Sequence, residues 1–169
     1  MAETEQSVAS IAPFVRKQDE GERFNMFGAL TMIKATGEET GGAYGLIEQR
    51  SNAGMMTPLH VHHGSDELWF VVDGQLSLHV DGETVEVGAG DVAFGPRGVP
   101  HAFRVDEDDS RYLIMLNAGK ESFFEAVGDA ATDLTLPDPH PTEEQLERLD
   151  AVLETYELEI LGPPPFDEQ

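Results

Sequence analysis

Four of the six histidines in this 169-residue chain are His60, His62, His63 and His101. Along a β-strand, residues i and i+2 share a face. His60 and His62 therefore point inward together, and His63 points away. Glu67 follows a short turn at His63-Gly64-Ser65 and can return a carboxylate to the same point. That makes a three-ligand site within one hairpin-like unit. The chain has no cysteine, so thiolate metal sites, disulfides and cysteine nucleophiles are excluded. Imidazole nitrogen with carboxylate oxygen suits one divalent transition metal per chain: Fe, Mn, Ni, Co, Cu or Zn. The bland alternative is a polar edge with surface histidines.

A fourth ligand comes from downstream. Gly90, Pro96 and Gly98 prepare bends that bring His101 over the first strand pair. The set is then His60, His62, Glu67 and His101, which leaves two positions of an octahedral ion open. Strand parity puts Trp69 and Val71 on the face of Glu67, and Phe103 on the face of His101. Trp69 and Phe103, with Tyr44, Met115 and Phe124, are the candidate substrate pocket, and core packing is the plain alternative for most of them. Tyr44 and Trp69 would supply polar handles. No lysine or arginine falls clearly in this pocket, which argues against a strongly anionic substrate. Asp66 reads as outward and solvated, and Arg104 and Arg111 as surface pairs.

The elements that must position these residues are short strands between glycine turns. Strands are expected at Arg23 to Ala35 (broken at Gly28), Tyr44 to Arg50, Leu68 to Val72, Gln75 to Val80, Glu83 to Val87, Val92 to Phe94, His101 to Val105 and Arg111 to Asn117. Asp73-Gly74 and Asp81-Gly82 both carry the sequence of a tight hairpin turn. Many short strands at this spacing argue for a sandwich or barrel. Phe14 and Val15 could pin the N-terminal arm as an edge strand. Two helices follow the strands. One spans Glu121 to Val127 before Gly128. The other starts at Thr142, whose partner Gln145 completes a capping-box pattern. It runs to about Tyr156, and Glu159-Ile160-Leu161 can dock as a short strand.

The length is that of one domain. Thirty-three acidic against ten basic residues give a formal net charge of -23. Such a charge repels nucleic acid and anionic membranes, and it suits a salty cytoplasm that screens the self-repulsion. There is no signal-like or membrane-spanning apolar run, so the expected location is cytoplasmic. No glycine-rich phosphate fingerprint is present.

With these residues in hand, the chain resembles the cupin superfamily. The stretch Gly54 to Gly74, with His60-Val-His62 and Glu67, matches every fixed position of the first cupin motif. Gly90 to His101, with Pro96-Arg-Gly98, matches the second, except that Val105 stands where asparagine is usual. The segment between them, Gln75 to Ala89, has the length of small microbial cupins. The resemblance implies an all-β, double-stranded β-helix (a cupin or jelly-roll barrel) with two C-terminal helices. It divides the chain into an arm (1–22), the barrel (23–118) and a helical extension packed on it (119–169). Phe123-Phe124-Glu125 with Gly128, and Leu134-Thr-Leu136-Pro137, are similar to the tail of bacterial quercetin 2,3-dioxygenase-like single-domain cupins. There a helix covers the mouth of the metal pocket.

This likeness implies a metal-dependent dioxygenase acting on an enolisable, flavonol-like aromatic. Glu67 would serve both as ligand and as the catalytic acceptor of a substrate hydroxyl proton. It also favours a homodimer, with strand exchange through residues before Phe24. The competing readings are a metal-assisted isomerase or lyase and a non-catalytic cupin that binds a metal or small molecule.

Overall fold

A computed structural model describes residues 11–166. In chain order the elements are β1 (Glu22–Met26), β2 (Ala29–Ala35), β3 (Gly45–Ser51), β4 (Leu59–His62), β5 (Glu67–Asp73), β6 (Gln75–Val80), β7 (Glu83–Gly88), β8 (Val92–Gly95), β9 (His101–Val105) and β10 (Ser110–Leu116). After them come α1 (Ser122–Val127), β11 (Asp129–Ala130), α2 (Glu143–Val152) and β12 (Leu158–Gly162). The strands form two antiparallel sheets. One is seven-stranded in the order β11-β1-β2-β3-β10-β5-β8, and the other five-stranded in the order β12-β4-β9-β6-β7. Among the described residues no hydrogen-bonded ladder joins the two sheets into a closed barrel. No helix among them is long and apolar enough to cross a membrane.

Period-two alternation builds the core between the sheets. On β5, Glu67, Trp69 and Val71 are buried while Phe70 is exposed. Trp69 lies opposite Ile114 in register and packs with Ile47, Phe103, Val105 and Tyr112. Complete burial of such apolar side chains contributes roughly 1.5–3 kcal/mol each. The Tyr112 hydroxyl, inside this core, is satisfied by Ser51 Oγ at 3.1 Å.

The two Asp-Gly turns behave differently. Asp81 (φ 52°) and Gly82 (φ 83°) close the β6–β7 hairpin, with Val80 opposite Glu83. Two consecutive positive φ values are what a two-residue turn of this hand requires. Asp73-Gly74 is no hairpin, because β5 and β6 lie in different sheets. The Gly74 backbone crosses against Ser110, and a Cβ there would collide with that side chain. The dipeptide signal reports the local backbone, whereas the destination of the next strand is set by packing.

The N-terminal arm differs from expectation, whereas the strand expected at Glu159-Ile160-Leu161 is present as part of β12. Phe14 and Val15 form no strand and are exposed. The arm is held by polar contacts instead. Arg16 makes a two-pronged pair with Glu39 (2.7 and 3.0 Å) and donates to Lys34 O, while Lys34 Nζ donates to the carbonyls of Lys17, Gln18 and Glu20. Residues 1–10 of the expected arm lie outside the described residues. The chain beyond residue 118 supplies an edge strand to each sheet: β11 pairs with β1, and β12 with β4.

The capping box at α2 is present, with Gln145 N donating to Thr142 Oγ1 at 3.2 Å and Thr142 N donating to Gln145 Oε1 at 3.3 Å. The same Gln145 amide accepts from Phe27 N and donates to Asn25 O, so one side chain both starts α2 and docks it on β1. The regular helix ends at Val152, a turn earlier than the apolar periodicity suggested.

Replacing Thr142 by Ala should destabilise the fold by about 1 kcal/mol in urea unfolding, as for other lost N-caps. Gln145→Ala should cost more, because it also leaves the part-buried Phe27 N and Asn25 O without this partner. The hydrogen bond from Arg16 holds the Glu39 carboxyl down at about 2, from an ordinary 4.5. A depressed carboxylate contributes stability that is complete above its unfolded value and lost as pH falls through the folded one. Amide-exchange protection in residues 11–21, taken relative to the intrinsic rate at each pH, should therefore be highest at pH 6 and fall between about pH 4.5 and pH 2. An Arg16→Ala variant should show the low protection throughout.

Candidate metal centre

The sheets bring four donors together. His60 on β4 and His101 on β9 are register partners across the five-stranded sheet, with ring centroids 4.5 Å apart. His62 shares the strand of His60. Glu67 enters from the other sheet, at the start of β5. The expected hairpin-like unit is thus not a hairpin: the turn at residues 63–66 carries the chain from one sheet to the other. The ligand atoms of His60, His62, Glu67 and His101 all lie within 4.8 Å of one another.

One local device orients two of the imidazoles. His60 Nδ1 lies 2.8 Å from Pro58 O, and His101 Nδ1 lies 2.9 Å from Val99 O. A ring nitrogen facing a carbonyl carries a proton, which makes Nε2 the atom that would ligate a cation once its own proton has left. Glu67 Oε2 lies 3.2 Å from both His62 Nε2 and His101 Nε2. Behind His101 stands Trp69, fully buried, its ring centroid 5.4 Å away. Gly95 makes this packing possible, since a Cβ there would press on the Trp69 ring at 3.1 Å.

The electrostatics favour an ionised carboxylate, with the His60 ring held neutral and the His101 ring drawn toward its protonated form. Burial would raise the Glu67 carboxyl, yet hydrogen bonds from His101 and His62 outweigh it and hold the group well below the ordinary range. Burial is also the main influence on His60, and the neighbouring imidazoles add to it, lowering the ring to about 4. For His101 burial acts downward, but the Glu67 carboxylate prevails and raises it. A buried anion ringed by three imidazoles, two of them oriented through Nδ1 by backbone carbonyls, fits a divalent cation bound by three nitrogens and one oxygen.

A pocket opens over the cluster, walled by Met26, Phe103, Ile114, Phe124, Leu149 and Leu158 among others. Phe103 and Phe124, two of the five aromatic and apolar candidates, are among the residues that line this cavity. Trp69 supports the cluster from behind rather than lining this cavity. Tyr44 and Met115 are both 38% exposed. Ile114 and Leu116 take the inward positions of β10, which by alternation turns Met115 outward.

His63 points outward to Glu159 at 2.8 Å. Asp66 is not simply solvated. It accepts from Arg97 N at 2.9 Å and pairs with its guanidinium at 2.8 Å, tying the loop before His101 to the turn before Glu67. That hydrogen bond from Arg97 lowers the Asp66 carboxyl to about 2. Arg104 and Arg111 pair with Asp106 and Glu48, the latter a buried carboxylate.

Sequence reasoning missed Gln49, Lys120 and Tyr156, which also line the pocket. Lys120 corrects the expectation of a pocket without a cation. Its place depends on how the chain leaves β10, for which no local pattern exists. Tyr156 was visible only as part of the apolar stripe of α2.

Comparison with known proteins agrees with this geometry. The family model described as a cupin domain matches residues 48–117. Quercetin 2,3-dioxygenase of Bacillus subtilis is 30% identical over 132 residues, which are 78% of this chain and 39% of that protein. The chain thus spans well under half the length of that relative. The structure of KdgF from a Halomonas species superposes with a TM-score of 0.59 at 18% identity, covering 66% of this chain and 98% of the other. A predicted oxalate decarboxylase from Thermotoga maritima gives 0.56 at 22% identity, covering 63% and 99%. Likeness at these identities establishes the fold alone. Solved structures of this shape include proteins described as decarboxylases, isomerases and dehydratases.

Loss of groups behind a metal ligand typically weakens binding about 10–100-fold. His101→Ala, which removes a ligand itself, should therefore weaken Co(II) or Zn(II) affinity at least about 100-fold. Competition against a chromophoric chelator measures this, and His63→Ala should leave the affinity unchanged.

Proposed function

From a cupin-fold domain whose two sheets converge on a candidate three-histidine, one-glutamate site, we propose a metal-dependent enzyme that activates a small oxygen-bearing molecule. The single observation that carries the reading is the position of the cluster at the base of a largely apolar pocket. A divalent ion bound there supplies Lewis acidity, drawing charge from a carbonyl or hydroxyl oxygen of the bound molecule.

The chain's own residues do the rest. His60 and His101, pinned through Nδ1, keep the ring positions fixed while charge develops. The walls of Phe103, Ile114, Phe124 and Leu149 exclude water and strengthen every charge interaction inside. Glu67 is the group that takes a proton. It is ionised, so the basic form is present, and it is a weak base that serves only for a proton acidified by the oxygen beside it. Enolisation of a carbonyl compound fits these properties and leads to isomerisation or elimination.

A second reading is favoured by the 30% identity to a quercetin 2,3-dioxygenase. In it the enolisable substrate is a flavonol-like aromatic and the reaction consumes dioxygen. Phe103 and Phe124 in the wall support an aromatic guest. A binding cupin without turnover is the third outcome of the same test. We further propose that the expected extension, described from residue 119 to 166 with 167–169 outside the described residues, acts as the cover of the pocket and that the working form is a homodimer.

Protein loaded in turn with Fe, Mn, Co, Ni and Zn should, without oxygen, incorporate solvent deuterium next to the carbonyl of some member of a panel of ketoses and 2-oxo acids. Glu67→Gln should reduce that exchange by about 100-fold or more, as for other lost acid–base groups. Oxygen uptake with a flavonol, and no exchange in any carbonyl compound, would instead favour the dioxygenase.

A further inference from the structure

We propose that Lys120 is a specificity-determining residue that pairs with a carboxylate on the far end of the bound molecule, the near end being at the histidine cluster. Among the described residues that line the pocket, Lys120 is the one lysine or arginine. The chain carries only ten basic residues against 33 acidic ones, so a cation at this position is set apart from the general composition. The same wall includes Phe123, Tyr156 and Leu158, which carry apolar surface, and the ammonium reaches Tyr156 O at 3.4 Å. Beside such surface a charge pair is screened less than in open water.

The mount is firm. The next residue, Glu121, is buried, and its carboxylate accepts from Gly37 N at 2.6 Å and Gly119 N at 2.8 Å. The ammonium itself has a protein partner that a ligand can replace. Nζ donates to Glu157 Oε2 at 2.7 Å and more weakly to Tyr156 O at 3.4 Å. The Glu157 side chain is 56% exposed, so it can turn to water when another carboxylate takes its place. Glu157 is not among the residues that line the pocket, so a ligand carboxylate would draw the ammonium from it toward the cavity. The class of molecule implied has a metal-binding oxygen at one end, an apolar body, and a carboxylate at the other.

This inference rests on the metal-centred reading, and the test separates the two. The probe is benzohydroxamic acid, a bidentate metal chelator, compared with its 3-carboxy and 4-carboxy derivatives on the Co(II)-loaded full-length protein. The visible Co(II) spectrum reports chelation. One carboxy isomer should bind about tenfold tighter than the parent, as for hydrogen bonds between charged partners. Lys120→Met should abolish that preference. Glu157→Gln should enlarge it by removing the competitor, and 0.5 M NaCl should shrink it. No carboxy preference in either the wild type or Glu157→Gln would overturn the role of Lys120 and leave it a tie between two surface segments. Absence of any Co(II) spectral change with the parent probe would instead overturn the metal reading beneath it. Glu157→Gln retains Lys120, so the inference stays testable even where Lys120→Met folds poorly.

Discussion

The candidate site depends on one buried carboxylate being matched across two sheets. Glu67 begins β5 in the seven-stranded sheet, while its imidazole partners stand on β4 and β9 of the five-stranded one. An ionised carboxylate buried without partners would be costly. Here two imidazole nitrogens at 3.2 Å take up its Oε2 atom. The arrangement holds only while the sheets keep their spacing, and that spacing is set by Trp69, Phe103, Tyr112 and their neighbours. Core packing and site geometry are therefore the same interaction seen from two sides. Trp69 makes this concrete: it fills the core and backs His101.

Loop contacts complete the constraint. Asp66 grips Arg97, and Gly98 N donates to His62 O at 2.8 Å. Both contacts join the Pro96–Pro100 loop to the segment that carries the other ligands. Each of His60 and His101 is then aligned by the carbonyl two residues before it. The sequence around both includes a proline (Pro58-Leu-His60 and Val99-Pro-His101), so a stiff backbone presents the accepting carbonyl.

Much of this was legible in the residues themselves. The parity of His60 and His62, the outward turn of His63 and the buried alternation of Glu67, Trp69 and Val71 all follow from a strand period of two, and the structure agrees. Thr142 and Gln145 announced the start of α2. What the residues did not reveal was which sheet each strand joins. Asp73-Gly74 and Asp81-Gly82 look alike locally, yet one crosses between sheets and the other closes a hairpin. The same non-local choice hid β11. Lys120 and Tyr156 reach the cavity only because the C-terminal segment folds back over it, so no spacing rule could have found them, whereas Gln49 shares the inward parity of Ile47 on β3. Met115 misled for a simpler reason: an apolar residue at the neighbouring parity position faces outward.

X-ray absorption at the metal edge of the Co(II)-loaded protein tests the central claim most directly, that one cation joins the two sheets through His60, His62, Glu67 and His101. The account predicts a first shell of nitrogen and oxygen only, with multiple-scattering features of three imidazoles that fall to two in His101→Ala. It also predicts an oxygen contribution that decreases in Glu67→Ala. A shell without imidazole scattering, or one unchanged by both substitutions, would contradict it.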